Sequence, residues 1–407
     1  MKTLWPLWIV LGVLVLLPLG RASEAPLVVG AVAGLILAWR QHVLLRADAG
    51  VRLAVVLFAC YWLAALISAP GAVAPEKSWS TVAALLRFLP FALFVCLALR
   101  RGAWWPLLTD ACAAIVVLWL LDAWVQILTG WSLAGAETAD RLSGIFGAGN
   151  LKLGPVLAVL SPFVFTAARR RWGWRGLAIA FVFQLMPILF AGSRAAWIMY
   201  GLVALAFVWM HTRAPLRFVA WSLAAACAAL LGIAVAWQHS GRFDMRFDRT
   251  LLALQGSQQA LDAASAGRLR IWRTALAMSA AHPVAGVGVR GFRFAYPQYA
   301  QPGDAFVDAQ TDEGAFHAHQ IVLEVLSETG SIGLLLWLTG AFCAIRAWCR
   351  AEAPARERAL APVLALGTMT FPLNSHLAFY GTSAWGLLFW WLLALYCAAL
   401  GSDEAPL

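Results

Sequence analysis

Residues 187–211 read PILFAGSRAAWIMYGLVALAFVWMH. Two apolar runs meet here, separated only by the turn at Gly192-Ser193-Arg194. Each run approaches the roughly 20 mostly apolar residues that a bilayer crossing needs, so the stretch reads as two transmembrane helices joined by a tight turn. Working outward, apolar runs at 4–20, 24–39, 53–69, 80–99, 104–128, 150–168, 176–192, 195–211, 217–238, 325–346, 359–377 and 383–400 predict twelve helices. The chain has 407 residues, 62% of them hydrophobic and 12% charged. That is about half the charge of an ordinary soluble domain. Mean hydropathy is +0.77. These values argue against a soluble enzyme on an anchor and predict an all-α polytopic membrane protein, with residues 1–407 forming one membrane domain.

The net charge of +10 does not point to nucleic acid, because most arginines sit in short gaps between apolar runs. Arg40, Arg46 and Arg52 share one set of gaps with Arg100 and Arg101, Arg169–Arg171 and Arg175, Arg213 and Arg217, and Arg346, Arg350, Arg356 and Arg358. The positive-inside rule makes this set cytoplasmic and puts both termini on the same side. The apolar run after Lys2 is taken as a first span in preference to a cleaved signal peptide, because many spans follow. The seven cysteines lie in or beside spans without a CxxC pair, and read as small apolar fillers.

The longest gap, 239–318, falls between predicted helices 9 and 10 on the opposite, external side. It holds eight arginines and seven acids. A loop this long is uncommon unless it is functional. Within it, Leu269, Ile271, Trp272, Ala275, Leu276 and Met278 have helical spacing, which predicts an amphipathic helix broken by Pro283. Four polar segments stand out. Arg194 is either a snorkelling cap or a fixed guanidinium whose fork suits a phosphate. Arg268, Arg270 and Arg273 suit anionic lipid or a bound anion. His282-Pro283 leads to Gly286, Gly288 and Gly291, a G-x-G-x-x-G spacing. Without a soluble βαβ unit it reads as a tight turn and not a dinucleotide site, with Arg290 beside it as an anion contact. His317-Ala318-His319-Gln320 opens the next helix. Two histidines there suit acid–base chemistry better than half a metal site, since no third ligand stands near.

These segments together resemble the O-antigen ligase family. His319-Gln320, nine residues, Gly330, two residues and Gly333 match its signature of His, then Asn, Ser or Gln, nine residues, Gly, two residues, and Gly, Thr or Tyr. Gly192-Ser193-Arg194, Gly267-Arg268 with Ile271-Trp272, and His282-Pro283 with Gly286-Val287-Gly288 look like three further family segments, in the family's order. Arg141-Leu142-Ser143-Gly144-Ile145-Phe146 to Asn150 is a weaker match, with Gly149 where members often carry Pro.

The resemblance implies a bacterial inner-membrane enzyme of the membrane glycosyltransferase C-type fold, with a periplasmic site and neither metal nor cofactor. It implies a glycan donor on undecaprenyl diphosphate and a lipid A–core acceptor, handled among membrane lipids. On this reading Arg194, Arg268 and, to a lesser degree, Arg290 hold the diphosphate. His319 takes the proton of the attacking hydroxyl, or orients that hydroxyl, in an inverting displacement. Glu324 lies about 140° from His319 on a continuous helix, so Gln320 or His317 orients the base instead, with Arg270 and His282 as secondary candidates. An O-antigen polymerase or a protein O-oligosaccharyltransferase would use the same donor; the end of the chain soon after residue 400 leans away from the latter. A transporter of lipid-linked sugars would place more charge inside its spans.

Overall fold

The computed structural model describes residues 4–100, 102–136, 141–212, 214–239, 265–308, 310–372, 379–381 and 384–401. Ten helices come first: α1 (Trp5–Val15), α2 (Glu24–Arg40), α3 (His42–Ala47), α4 (Ala49–Ser68), α5 (Pro75–Leu85), α6 (Phe88–Ala98), α7 (Trp105–Thr129), α8 (Leu153–Phe190), α9 (Arg194–His211) and α10 (Pro215–His239). Then follow α11 (Arg268–Ala281), α12 (Phe292–Tyr299), α13 (Ile321–Arg350), α14 (Ala353–Met369) and α15 (Ala384–Ala399). The only sheet among the described residues is a hairpin, β1 (Trp131–Ser132) and β2 (Gly135–Ala136). Eight helical segments among the described residues are long and apolar enough to cross a membrane, and α1 and α15 are shorter apolar helices. The chain is an all-α, multi-pass membrane protein.

Two expected spans, 150–168 and 176–192, are the limbs of α8. Straight, its 38 residues would reach about 57 Å, nearly twice the hydrocarbon core. It folds back at Gly173, whose φ is +64°. A Cβ on Gly154 would lie 2.8 Å from the Cβ of Ala191, so the two ends of α8 meet. The centre of the bundle is α15, buried from Gly386 to Ala399. A helix apolar all round belongs in a protein core or in lipid, and here it lies in the core. The Trp391 indole donates to the Val10 carbonyl of α1 at 2.8 Å, and Trp390 stacks on Phe88 of α6 with ring centroids 5.3 Å apart.

The basic gaps converge on one end. Asp48 caps α4 by accepting from Val51 N–H at 2.9 Å and pairs with Arg100 at 3.3 Å. Asp110 pairs with Arg170 and, at 2.8 Å, with Arg171. The helix expected over 359–377 begins at Ala353, with Pro354 in its first turn, where proline costs no hydrogen bond. Arg358 is therefore helical and donates to the Ala399 carbonyl at 3.3 Å. There the last carbonyls of α15 carry partial negative charge. The stretch 373–378, where that expected span ends, lies outside the described residues.

The opposite end carries the expected long loop. Its stretch 240–264 lies outside the described residues. From 265 onward it is a packed lobe with a small core of its own: Ile271, Ala275 and Met278 of α11 meet Phe292, Ala295 and Tyr296 of α12. The apolar stripe predicted for α11 thus meets protein. Tyr296 donates to Asp304 at 3.0 Å.

The lobe is attached to the bundle through a break in α13. Gly330 has φ +65° and ψ −166°, a conformation open essentially to glycine alone. The break frees backbone groups in the wall of the bundle, and the 283–288 turn takes them up. Val287 N–H donates to Ser327 O at 2.9 Å and Gly288 N–H to Glu328 O at 3.0 Å. Ser331 N–H donates to Pro283 O at 2.8 Å. Val73 N–H donates to Val287 O at 2.9 Å, and Ser78 Oγ donates to Val289 O at 2.8 Å, so the α4–α5 connection holds the same turn. A Cβ on Gly288 would lie 2.2 Å from the Cβ of Ala72. Gly330→Leu combines a forbidden φ with a Cβ 2.2 Å from the Val284 carbonyl. A loss of about 1–3 kcal/mol is expected from the backbone strain. It should appear as a lower thermal midpoint in detergent together with faster proteolysis of the lobe; an unchanged midpoint would refute the staple.

Candidate functional site

Arg194 is set by a rigid turn. Gly192 adopts φ +65°, and Ser193 caps α9 by accepting from Ala196 N–H at 3.2 Å. The Trp197 indole donates back to Ile188 O at 3.1 Å. Leu142 N–H donates to Phe190 O at 3.3 Å, which brings the 141–150 segment to this turn. Arg268 opens α11 behind Gly267, whose φ is +75°. A Cβ there would lie 2.7 Å from the Phe306 ring, which accounts for glycine before the arginine.

Electrostatics join these pieces. Burial first, then the charges of Arg194 and Arg141, lower the Arg268 guanidinium from its ordinary value. An arginine stays protonated all the same. The guanidiniums of Arg194 and Arg141 thus lie within electrostatic reach of Arg268, and a group of guanidiniums suits a multiply charged anion. The sequence readings gave Arg194 and Arg268 this role. They left out Arg141, although it stands in the stretch that weakly matched the family.

His319 lies outside α13, in a left-handed conformation with φ +52°. Few non-glycine residues adopt it, and such strain is found at functional positions. Gln320 is the cap of α13, its Oε1 accepting from Leu323 N–H at 2.6 Å. The His317 and His319 ring centroids are 4.0 Å apart. Between them, the Ala318 carbonyl accepts from the Trp272 indole at 3.1 Å. That bond ties the histidine segment to the helix that carries Arg268. His317 and His319 line an open cavity of about 510 Å³, together with the 146–152 turn and Trp385.

The remaining candidates sit elsewhere. His282 bonds Tyr299 at 2.8 Å inside the lobe. Arg270 acts electrostatically on Tyr296, also in the lobe. Arg290, another left-handed residue at φ +61°, donates its N–H to Glu328 Oε2 at 2.9 Å. Its guanidinium lies within electrostatic reach of Glu324 and Glu328, both fully buried. Glu324 also accepts from Phe379 N–H at 2.6 Å. Arg290 thus stands beside a buried acid pair, while the charges that act on Arg268 are those of Arg194 and Arg141. Glu324 and Glu328 fasten two loops to the start of α13. Among the described residues no three His, Cys, Asp or Glu side chains converge on a metal position.

Fold and site define a class: a multi-pass helical membrane protein with an arginine cluster and a histidine-lined cavity at one end. Residues 179–338 match the family model described as O-Antigen ligase, from the second limb of α8 through the lobe into α13. The match shows that the chain's resemblance is to the O-antigen ligase family, whose members are glycosyltransferase-like enzymes of ligase or polymerase type with lipid-linked glycan substrates. Comparison with curated proteins gives no match.

Arg290→Ala separates the two roles considered for this residue. Removing the cation that stands beside the buried Glu324 and Glu328 is expected to lower stability. The thermal midpoint in detergent should fall, while the folded fraction binds a lipid diphosphate with unchanged affinity. A normal midpoint with lost diphosphate binding would return Arg290 to the anion site.

Proposed function

We propose that the protein is an O-antigen ligase. It transfers a glycan from undecaprenyl diphosphate to the lipid A–core oligosaccharide, at the periplasmic face of a bacterial inner membrane, with its basic end in the cytoplasm. The observation that carries this reading is the Trp272–Ala318 hydrogen bond. It couples the helix of Arg268, and with it the arginine cluster, to the histidine-lined cavity.

The chemistry follows from the charges. A sugar hydroxyl of the acceptor attacks the anomeric carbon, and the bond from that carbon to the diphosphate oxygen breaks. The hydroxyl proton passes to His319, whose imidazole is an effective base near neutral pH. Negative charge grows on the departing undecaprenyl diphosphate. Arg141, Arg194 and Arg268 stabilise that charge more in the transition state than in the bound donor, which is what accelerates the step. Three guanidiniums supply the neutralisation that a divalent cation gives in other diphosphate chemistry, so the reaction is metal-independent. Both substrates are anchored in lipid and meet by lateral diffusion.

In purified protein with both lipid substrates, His319→Ala should abolish transfer while donor binding stays near normal; near-normal turnover would remove His319 from the chemistry. Arg194→Lys keeps the charge but loses the fork, and a rate loss of about 10²–10³-fold is expected. Chelator should have no effect, and inhibition reversed by Mg²⁺ would contradict the metal-free mechanism. Offering lipid A–core, a second repeat unit or a pilin as acceptor separates ligase from polymerase and protein glycosylation, and the ligase reading requires product with the first.

A further inference from the structure

The 510 Å³ cavity has a composition that the arginine cluster does not explain. We propose that it is the acceptor subsite, and that it selects a saccharide bearing an acidic substituent, a phosphate or a carboxylate, near the reacting hydroxyl. The inference rests on the proposed transfer reaction and names the chemistry of its second substrate.

The first argument is geometric. In a direct displacement the attacking oxygen and the leaving oxygen lie on opposite sides of the anomeric carbon. The base and the leaving-group cations must then flank that carbon from two sides. His319 lines the cavity, whereas Arg141, Arg194 and Arg268 do not. The cavity therefore lies on the attacking side. Its volume falls within the range of small-molecule sites, roughly 300–1,000 Å³.

The second argument is chemical. Trp385 supplies a flat aromatic wall with one polar atom, a surface suited to the apolar face of a sugar ring. Gly147 and Gly149, with φ of +90° and +74°, fold the opposite wall into a tight turn. Asn150 is spent on bracing that turn: its Nδ2 donates to Phe146 O at 3.2 Å, and its Oδ1 accepts from Lys152 N–H at 3.1 Å. Lys152 remains as a half-buried cation in the wall. An ammonium is a compact point charge that pairs with either a phosphate or a carboxylate. The donor diphosphate already has its own cluster, so the charge in this cavity serves the other substrate.

The test uses full-length protein in lipid nanodiscs, its donor, and two lipid-linked saccharide acceptors that differ only in one phosphate. The wild type should prefer the phosphorylated acceptor by about tenfold or more in kcat/KM, as a charge-assisted contact would give. Lys152→Gln should erase that preference by raising the KM for the phosphorylated acceptor, with the donor KM unchanged. Trp385→Ala should raise the KM for both acceptors, and Trp385→Phe should restore much of the loss, which separates stacking from misfolding. Running the pair with a carboxylated acceptor distinguishes the two acids, and a preference for either supports the subsite. Unmoved acceptor KM values in Lys152→Gln and Trp385→Phe alongside a fully active Trp385→Ala would overturn the subsite while the transfer reaction stands. A rise in donor KM with Lys152→Gln would assign the cavity to the donor and also overturn it. Absence of wild-type transfer to any saccharide would instead sink the proposed function, and the subsite with it.

Discussion

The structure depends on how α13 is broken and repaired. A helix interrupted at Gly330 leaves donors and acceptors bare in an apolar wall, where each unmet group is costly. The 283–288 turn meets them through the Val287, Gly288 and Ser331 hydrogen bonds. This one docking holds the lobe against the bundle and fixes the first limb of α13. It therefore also fixes His319, which stands just before that limb. The spaced glycines of the family signature thus serve a mechanical purpose distinct from the histidine that precedes them. Gly330 permits the break. Gly333 leaves room beside the Thr329 side chain and faces Ala64 of α4.

Two arrangements of arginine follow from this frame. Arg290 faces Glu324 and Glu328, and a cation so matched belongs to the architecture. Arg268 instead feels Arg194 and Arg141, charges of its own sign. Repulsion of that kind destabilises the fold unless rigid elements hold it. The Ser193 cap, the Gly267 turn and the Trp197 and Trp272 hydrogen bonds are such elements. In the proposed reaction an incoming diphosphate would offset that repulsion, and the same guanidiniums would then stabilise its departure.

Much of this was legible in the sequence, for stated physical reasons. Apolar length reports membrane helices, so α4, α7 and α9 lie close to their expected spans. The arginine gaps report one end of the bundle because topology is written in charge. Partnership is what the sequence hides. Arg290 donates its backbone N–H to Glu328, 38 residues further along the chain, a link that the sequence pattern does not show. The fold-back of α8 at Gly173 was read as two spans and a loop, which is right in topology while missing their continuity. Asn150 drew attention as a motif residue, and its amide braces a turn. Trp385 carried no signal at all, being one of 22 tryptophans in an apolar chain.

The account turns on a base and a set of cations acting from opposite sides of one carbon. The anomeric configuration of the product reports that arrangement directly. Transfer from a donor of defined configuration, followed by NMR of the anomeric proton and carbon in the product, should give complete inversion. Retention would contradict the account, because it requires a covalent glycosyl intermediate on an enzyme nucleophile in place of a single displacement assisted by His319.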